Sequence, residues 1–113
     1  MELNVVDRIN ILGVLPKEGN ALTLKIVRDL QDSLTLTEEE YNEFVRKRTL
    51  PDGRIVDDLK PDKINATKDV KIGAKANEII TEALKSLDEK KELHITLLSL
   101  YERFVENSEK VKS

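Results

Sequence analysis

The sequence predicts a mainly α domain with a small two-stranded antiparallel β ribbon, α+β in class: a compact bundle of about five helices, the ribbon inserted between helices three and four. Apolar residues recur at spacings of three and four along most of the chain, the period of helices that bury one face. Residues 46 to 73, RKRTLPDGRIVDDLKPDKINATKDVKIG, interrupt that period with turn-forming residues and contain a run that alternates instead. The 113 residues can enclose one core, and with no Cys that core must be built from Leu, Ile and Val. A single domain over 1–113 is expected, with residues 107–113, NSEKVKS, as a frayed tail.

Asn4 is a natural cap for a first helix over residues 4 to 12, with Val5, Val6, Ile9 and Leu12 on one side. Gly13, Pro16 and Gly19 end it, and a second helix runs from about 20 to 34. Its apolar stripe is Leu22, Ile26 and Leu30, widened by Val27 and Leu34, so it should be central. Thr37 and Glu40 form a capping box for the third helix, with Leu36 and Tyr41 as its hydrophobic staple. Three glutamates, Glu38 to Glu40, stand at the positive end of that helix dipole. Arg46, Lys47 and Arg48 then belong at its negative end.

Pro51-Asp52-Gly53 reads as a turn, followed by a short extended piece over 54 to 57. Val70 and Ile72 alternate with polar residues, which predicts a strand over 69 to 72 paired with 54 to 57. A fourth helix over 74 to 90 carries Ala76, Ile79, Ile80, Ala83, Leu84 and Leu87 inward. The last helix, residues 94 to 106, repeats Leu93, Leu97, Leu100, Tyr101, Phe104 and Val105 at helical spacing. Short connections favour packing of 4 to 12 on 20 to 34, and of 74 to 90 on 94 to 106.

The composition narrows function mainly by exclusion. The 19 basic and 22 acidic residues leave a net charge of -3, and the signs alternate finely, so no general attraction to nucleic acid or anionic lipid is expected. The N-terminal stretch has Glu2 and Asp7 where a secretory leader has basic residues, and no apolar run is long enough to span a bilayer; a cytoplasmic protein without membrane attachment is the expectation. Asn65-Ala66-Thr67 matches a glycosylation acceptor only by coincidence on that reading.

Catalytic chemistry finds little to work with. His94 is the sole histidine, at the start of a helix, and no Ser or Thr is marked as its nucleophile. Asp52, Asp57, Asp58 and Asp62 lack the register of a calcium loop, and the four glycines are too dispersed to cradle a phosphate. No enzyme, cofactor or metal is therefore expected. The reading that explains more residues is a protein-contact, structural or adaptor module. In it the last helix presents Ile95, Leu98 and Tyr101 outward, to a protein partner or to a second copy in a dimer.

The alternative is a winged helix-turn-helix-like regulator, with Arg46, Lys47 and Arg48 on phosphates. Its weakness is the acidic company of those residues, Glu38, Glu39, Glu40 and Glu43. In general character the chain is similar to the small, cysteine-free, charge-rich proteins of bacteria and their prophages. That likeness carries no motif that transfers a function.

Overall fold

The computed structural model describes residues 1–106, in which helices build the core and two separate two-stranded antiparallel sheets accompany them. In order the elements are β1 (Glu2–Asn4), α1 (Val5–Val14), α2 (Ala21–Leu34), α3 (Glu38–Phe44), β2 (Val45–Thr49), β3 (Ile55–Leu59), β4 (Thr67–Asp69), α4 (Ala74–Glu89) and α5 (Leu98–Tyr101). Single 3-10 turns precede β4 and α5, at Pro61–Lys63 and Ile95–Leu97, and α5 passes into a π-helical turn at Glu102–Glu106. The tail expected over 107–113 lies outside the described residues.

The helix starts follow from local chemistry. Asn4 and Asp7 form a reciprocal capping box, Asn4 Oδ1 accepting from the Asp7 amide at 2.8 Å. Asn20 caps α2 through the Thr23 amide, also at 2.8 Å, and Thr37 with Glu40 closes the box on α3. Helix α4 stops where Lys91 takes a left-handed φ of 58°, so that the Glu92 amide reaches back to the Leu87 carbonyl at 2.8 Å.

Leu3, Ile11, Leu15, Val27, Leu30, Leu34, Val70, Ile80, Leu84, Leu100, Phe104 and Val105 are buried together as the core. Helix α1 packs on α2, and α4 packs on α5 and the turn after it, which are the neighbours expected from the short connections. The stripe of α2 is rotated relative to the expected one: Val27, Leu30 and Leu34 are buried, Ile26 is half-buried and Leu22 is exposed.

Two corrections concern the strands. Arg46, Lys47 and Arg48 do not end α3; they form β2, paired with β3 in the register Val45↔Leu59 to Thr49↔Ile55. Helix α3 buries no residue, so no packing energy extends it, whereas Pro51-Asp52-Gly53 brings Ile55 and Val56 back within reach after a few residues. Gly53 makes that reversal with φ +88°, its amide bonded to the Leu50 carbonyl at 2.9 Å.

The second correction is that residues 54 to 57 and 69 to 72 are not each other's partners. β4 pairs with β1 at the N-terminus, Leu3 opposite Lys68, and the Val70 amide continues the ladder to the Met1 carbonyl at 2.8 Å. Val70 is buried and Ile72 packs on the core, so the inward face expected for this run is present. The β2–β3 hairpin supplies no core residue, and the molecule is elongated, 50 × 28 × 26 Å.

Among the described residues one charged side chain lies inside. Arg8 is only 1% exposed and joins three elements. Its Nε donates to the Leu34 carbonyl at 2.9 Å and Nη2 to the Thr35 carbonyl at 3.1 Å, both at the C-terminal end of α2. Nη1 and Nη2 also grip Glu40 in a bidentate pair, at 2.7 and 3.2 Å. The guanidinium thus stands between the negative end of one helix and a carboxylate in the first turn of the next. A buried cation is tolerable only when so fully partnered.

Candidate functional site

The expected contact residues divide. Leu100, Phe104 and Val105 enter the core, which fixes the last segment against the helices. Ile95 is left 75% exposed and Leu98 42% exposed, on the outer side. Tyr101 is half-buried against the core and its phenol donates to Asp88 Oδ2 at 3.2 Å. The segment is not one regular α-helix: it passes from a 3-10 turn through α5 to a π-turn, so residues three or four apart do not keep one face throughout. Tyr101, next to buried Leu100 and three residues before buried Phe104, stands at the edge of the core face, whereas Ile95 and Leu98 face outward.

Polar bonds hold this segment at both ends. Asn10 Nδ2 of α1 donates to the Thr96 carbonyl at 3.4 Å, and the Thr81 hydroxyl of α4 to the Phe104 carbonyl at 3.4 Å. Arg103 pairs with Asp7 at 2.7 Å, while its Nε is buried without a hydrogen-bond partner. His94 is exposed and serves as an N-cap, its Nδ1 accepting from the Thr96 amide at 3.2 Å, a role consistent with its position at a helix start.

The basic run is met by acid across the hairpin. Lys47 lies 3.5 Å from Asp57 and Arg48 3.3 Å from Asp58, and Arg46 faces Asp58 in the strand register. Tyr41 donates to Asp57, and this hydrogen bond holds the Asp57 carboxyl below its usual range and pushes the Tyr41 phenol up. Asp52 turns back on Arg54 at 2.6 Å. Clusters that are separate in sequence, Arg46 to Arg48 and Asp57 to Asp58, are therefore one surface on which two carboxylates offset most of three cations. Among the described residues no three or more His, Asp or Glu side chains are grouped so as to hold a metal ion.

Two surface depressions were not legible beforehand. One, of about 370 Å³, lies where the end of α1 meets α2 and α4, lined by Pro16, Thr23, Ile79 and Ala83 with Glu78 and Glu82. Another, of about 240 Å³, lies at the base of the hairpin between Ile9, Leu36, Tyr41, Val45 and Leu59, with Asp57 and Asp58. Ile9 is 53% exposed there, on the side of α1 opposite buried Ile11. The available sequence signal was that α1 is apolar around most of its circumference, more than one buried face requires.

Among the described residues no helix is long and apolar enough to cross a membrane. No family model matches this chain, and neither does any curated protein or solved structure.

Proposed function

We propose that the chain is a non-enzymatic protein-contact module of the cytoplasm that self-associates as a two-fold dimer through Ile95 and Leu98. The carrying observation is the outward exposure of these two aliphatic side chains from a segment whose other apolar residues are locked in the core. Such a patch is presented rigidly, so little side-chain or backbone ordering opposes docking. A two-fold contact buries it on both copies at once.

The nucleic-acid alternative has less support, because Lys47 and Arg48 would have to exchange Asp57 and Asp58 for phosphate, with the carboxylates left beside it. The dimer is tested by light scattering after size exclusion up to about 1 mM protein, the weak limit of specific association. A dimer that dissociates on Leu98→Asp, with the circular dichroism spectrum unchanged, supports the reading. A monomer at every concentration, or a dimer indifferent to Leu98→Asp and Ile95→Asp, refutes it.

A further inference from the structure

The junction of α2 and α4 carries a surface that the Ile95–Leu98 patch does not use. The 370 Å³ depression at Thr23, Ile79 and Ala83 is followed along the same two helices by a smaller one, about 150 Å³, at Ile26, Leu30 and Ala76. On α2, Ile26, Asp29 and Ser33, at intervals of three and four, line one side of this groove, and Leu22 stands four residues before Ile26 on the same stripe. Leu22, 67% exposed, extends its apolar character at one end. From Thr23 to Ser33 the groove is about 15 Å long at the helical rise.

Acid stands on both sides. Asp29 lies on the α2 rim, and Glu78 and Glu82, one turn apart, on the α4 rim. Glu78 has Lys75 at 3.6 Å, but neither Asp29 nor Glu82 has an ion pair or side-chain hydrogen bond among the described residues. Lys71 is the cation lining the smaller depression, at the Gly73 end. Two glutamates four apart on one helix repel each other mildly, and a cation bridging them from outside would relieve that repulsion.

We infer that this groove is a docking site for an amphipathic helix of a partner protein, one whose aliphatic anchors are flanked by Lys or Arg. An extended peptide fits less well, because it needs main-chain partners and the backbones of α2 and α4 bond internally. Along α2 the depressions are marked by Thr23 and Leu30, seven residues or about 10 Å apart at the helical rise, the span of side chains seven apart on an incoming helix. Its cations would meet Asp29 and Glu82 across the rims. A second copy of this chain is a poor occupant, since none of α1 to α4 combines an exposed aliphatic stripe with a predominantly basic border.

The test uses the full chain and two synthetic helical peptides of about 14 residues, long enough to cover the groove. They share one leucine face and differ in carrying Lys or Glu elsewhere. The expected result is that the lysine peptide binds and the glutamate peptide does not. Amide and methyl NMR shifts should then cluster on residues 22 to 33 and 76 to 83. Replacing both acids of the α4 rim, Glu78→Lys with Glu82→Lys, should weaken the lysine peptide about tenfold and admit the glutamate peptide.

Both replaced residues are exposed, so the fold is retained and can be verified by circular dichroism. Equal binding of the two peptides, shifts centred on Ile95 and Leu98, or no binding at about 1 mM would each overturn the inference. The dimer can fail while this site survives, because light scattering of the protein alone reads only the former.

Discussion

Replacing Glu40 by glutamine removes the carboxylate from the buried Arg8 while keeping the side chain's shape and one acceptor oxygen. In the fold, the hydrogen bonds from Arg8, opposed by burial and aided by the Thr37 amide, hold the Glu40 carboxyl at about 2 instead of the ordinary 4.5. That gap corresponds to roughly 3 kcal/mol of preference for the charged form in the folded chain. The substituted amide can still accept from Arg8 and from the Thr37 amide, so the expected loss at neutral pH is about 2–3 kcal/mol, below the 3–5 typical of an unpartnered buried charge. In a chain of this size that is a substantial part of the total stability.

The pH dependence follows from which state binds the proton first. The unfolded chain protonates Glu40 near 4.5, the folded chain only near 2, so protons favour unfolding between those values. The stabilisation is complete above about pH 5.5, falls as the pH drops through 4.5, and is lost near 2. Urea unfolding of the wild type and Glu40→Gln, followed by far-ultraviolet circular dichroism at steps of pH, should give a difference that shrinks across that window. A difference under about 1 kcal/mol at pH 7, or one that stays constant down to pH 3, would refute the role given to the pair. Adding Arg8→Met to Glu40→Gln should recover part of the loss, since the stranded cation is then gone.

Lys91→Gly should stabilise the protein by roughly 0.5–1 kcal/mol in thermal or urea unfolding, because glycine accepts the left-handed φ of 58° without a Cβ clash. Leu3→Ala should cost about 2–4 kcal/mol in the same assays, far more than a frayed N-terminus would, since Leu3 is fully buried opposite β4. Tyr41→Phe should raise the Asp57 titration midpoint towards the ordinary carboxylate range in carboxyl-carbon NMR; an unmoved midpoint would show that the phenol does not hold that charge.

Features made between residues a few positions apart were legible in the sequence. The caps at Asn4 and Thr37 form where the side chains predict them, and Asn20 caps the second helix close to its expected start, since each bond spans three residues and needs no distant partner. The same locality made α4 readable over nearly its full length, its apolar stripe and its stop near Lys90 included. The candidate contact residues were legible only in part. Ile95 and Leu98 are outward, but Tyr101 packs beside Leu97 and Phe104, its neighbours at helical spacing, because the edge of the core face falls between Leu98 and Tyr101 and is set by how the segment lies on α4.

Tertiary structure alone decided the rest, and distance along the chain is the reason. A strand's hydrogen bonds go to whichever strand becomes its neighbour: β2 took the nearby β3, and β1 took β4 more than sixty residues away. Arg8 looks like any other surface cation on α1 until the end of α2 and Glu40, 26 to 32 residues on, close around it. The α2–α4 groove likewise exists only between two helices, so neither helix's pattern reveals it. Local bonding wrote the helices into the sequence, while the partners of β1, Arg8 and the groove were set by which segments the folded chain brings side by side.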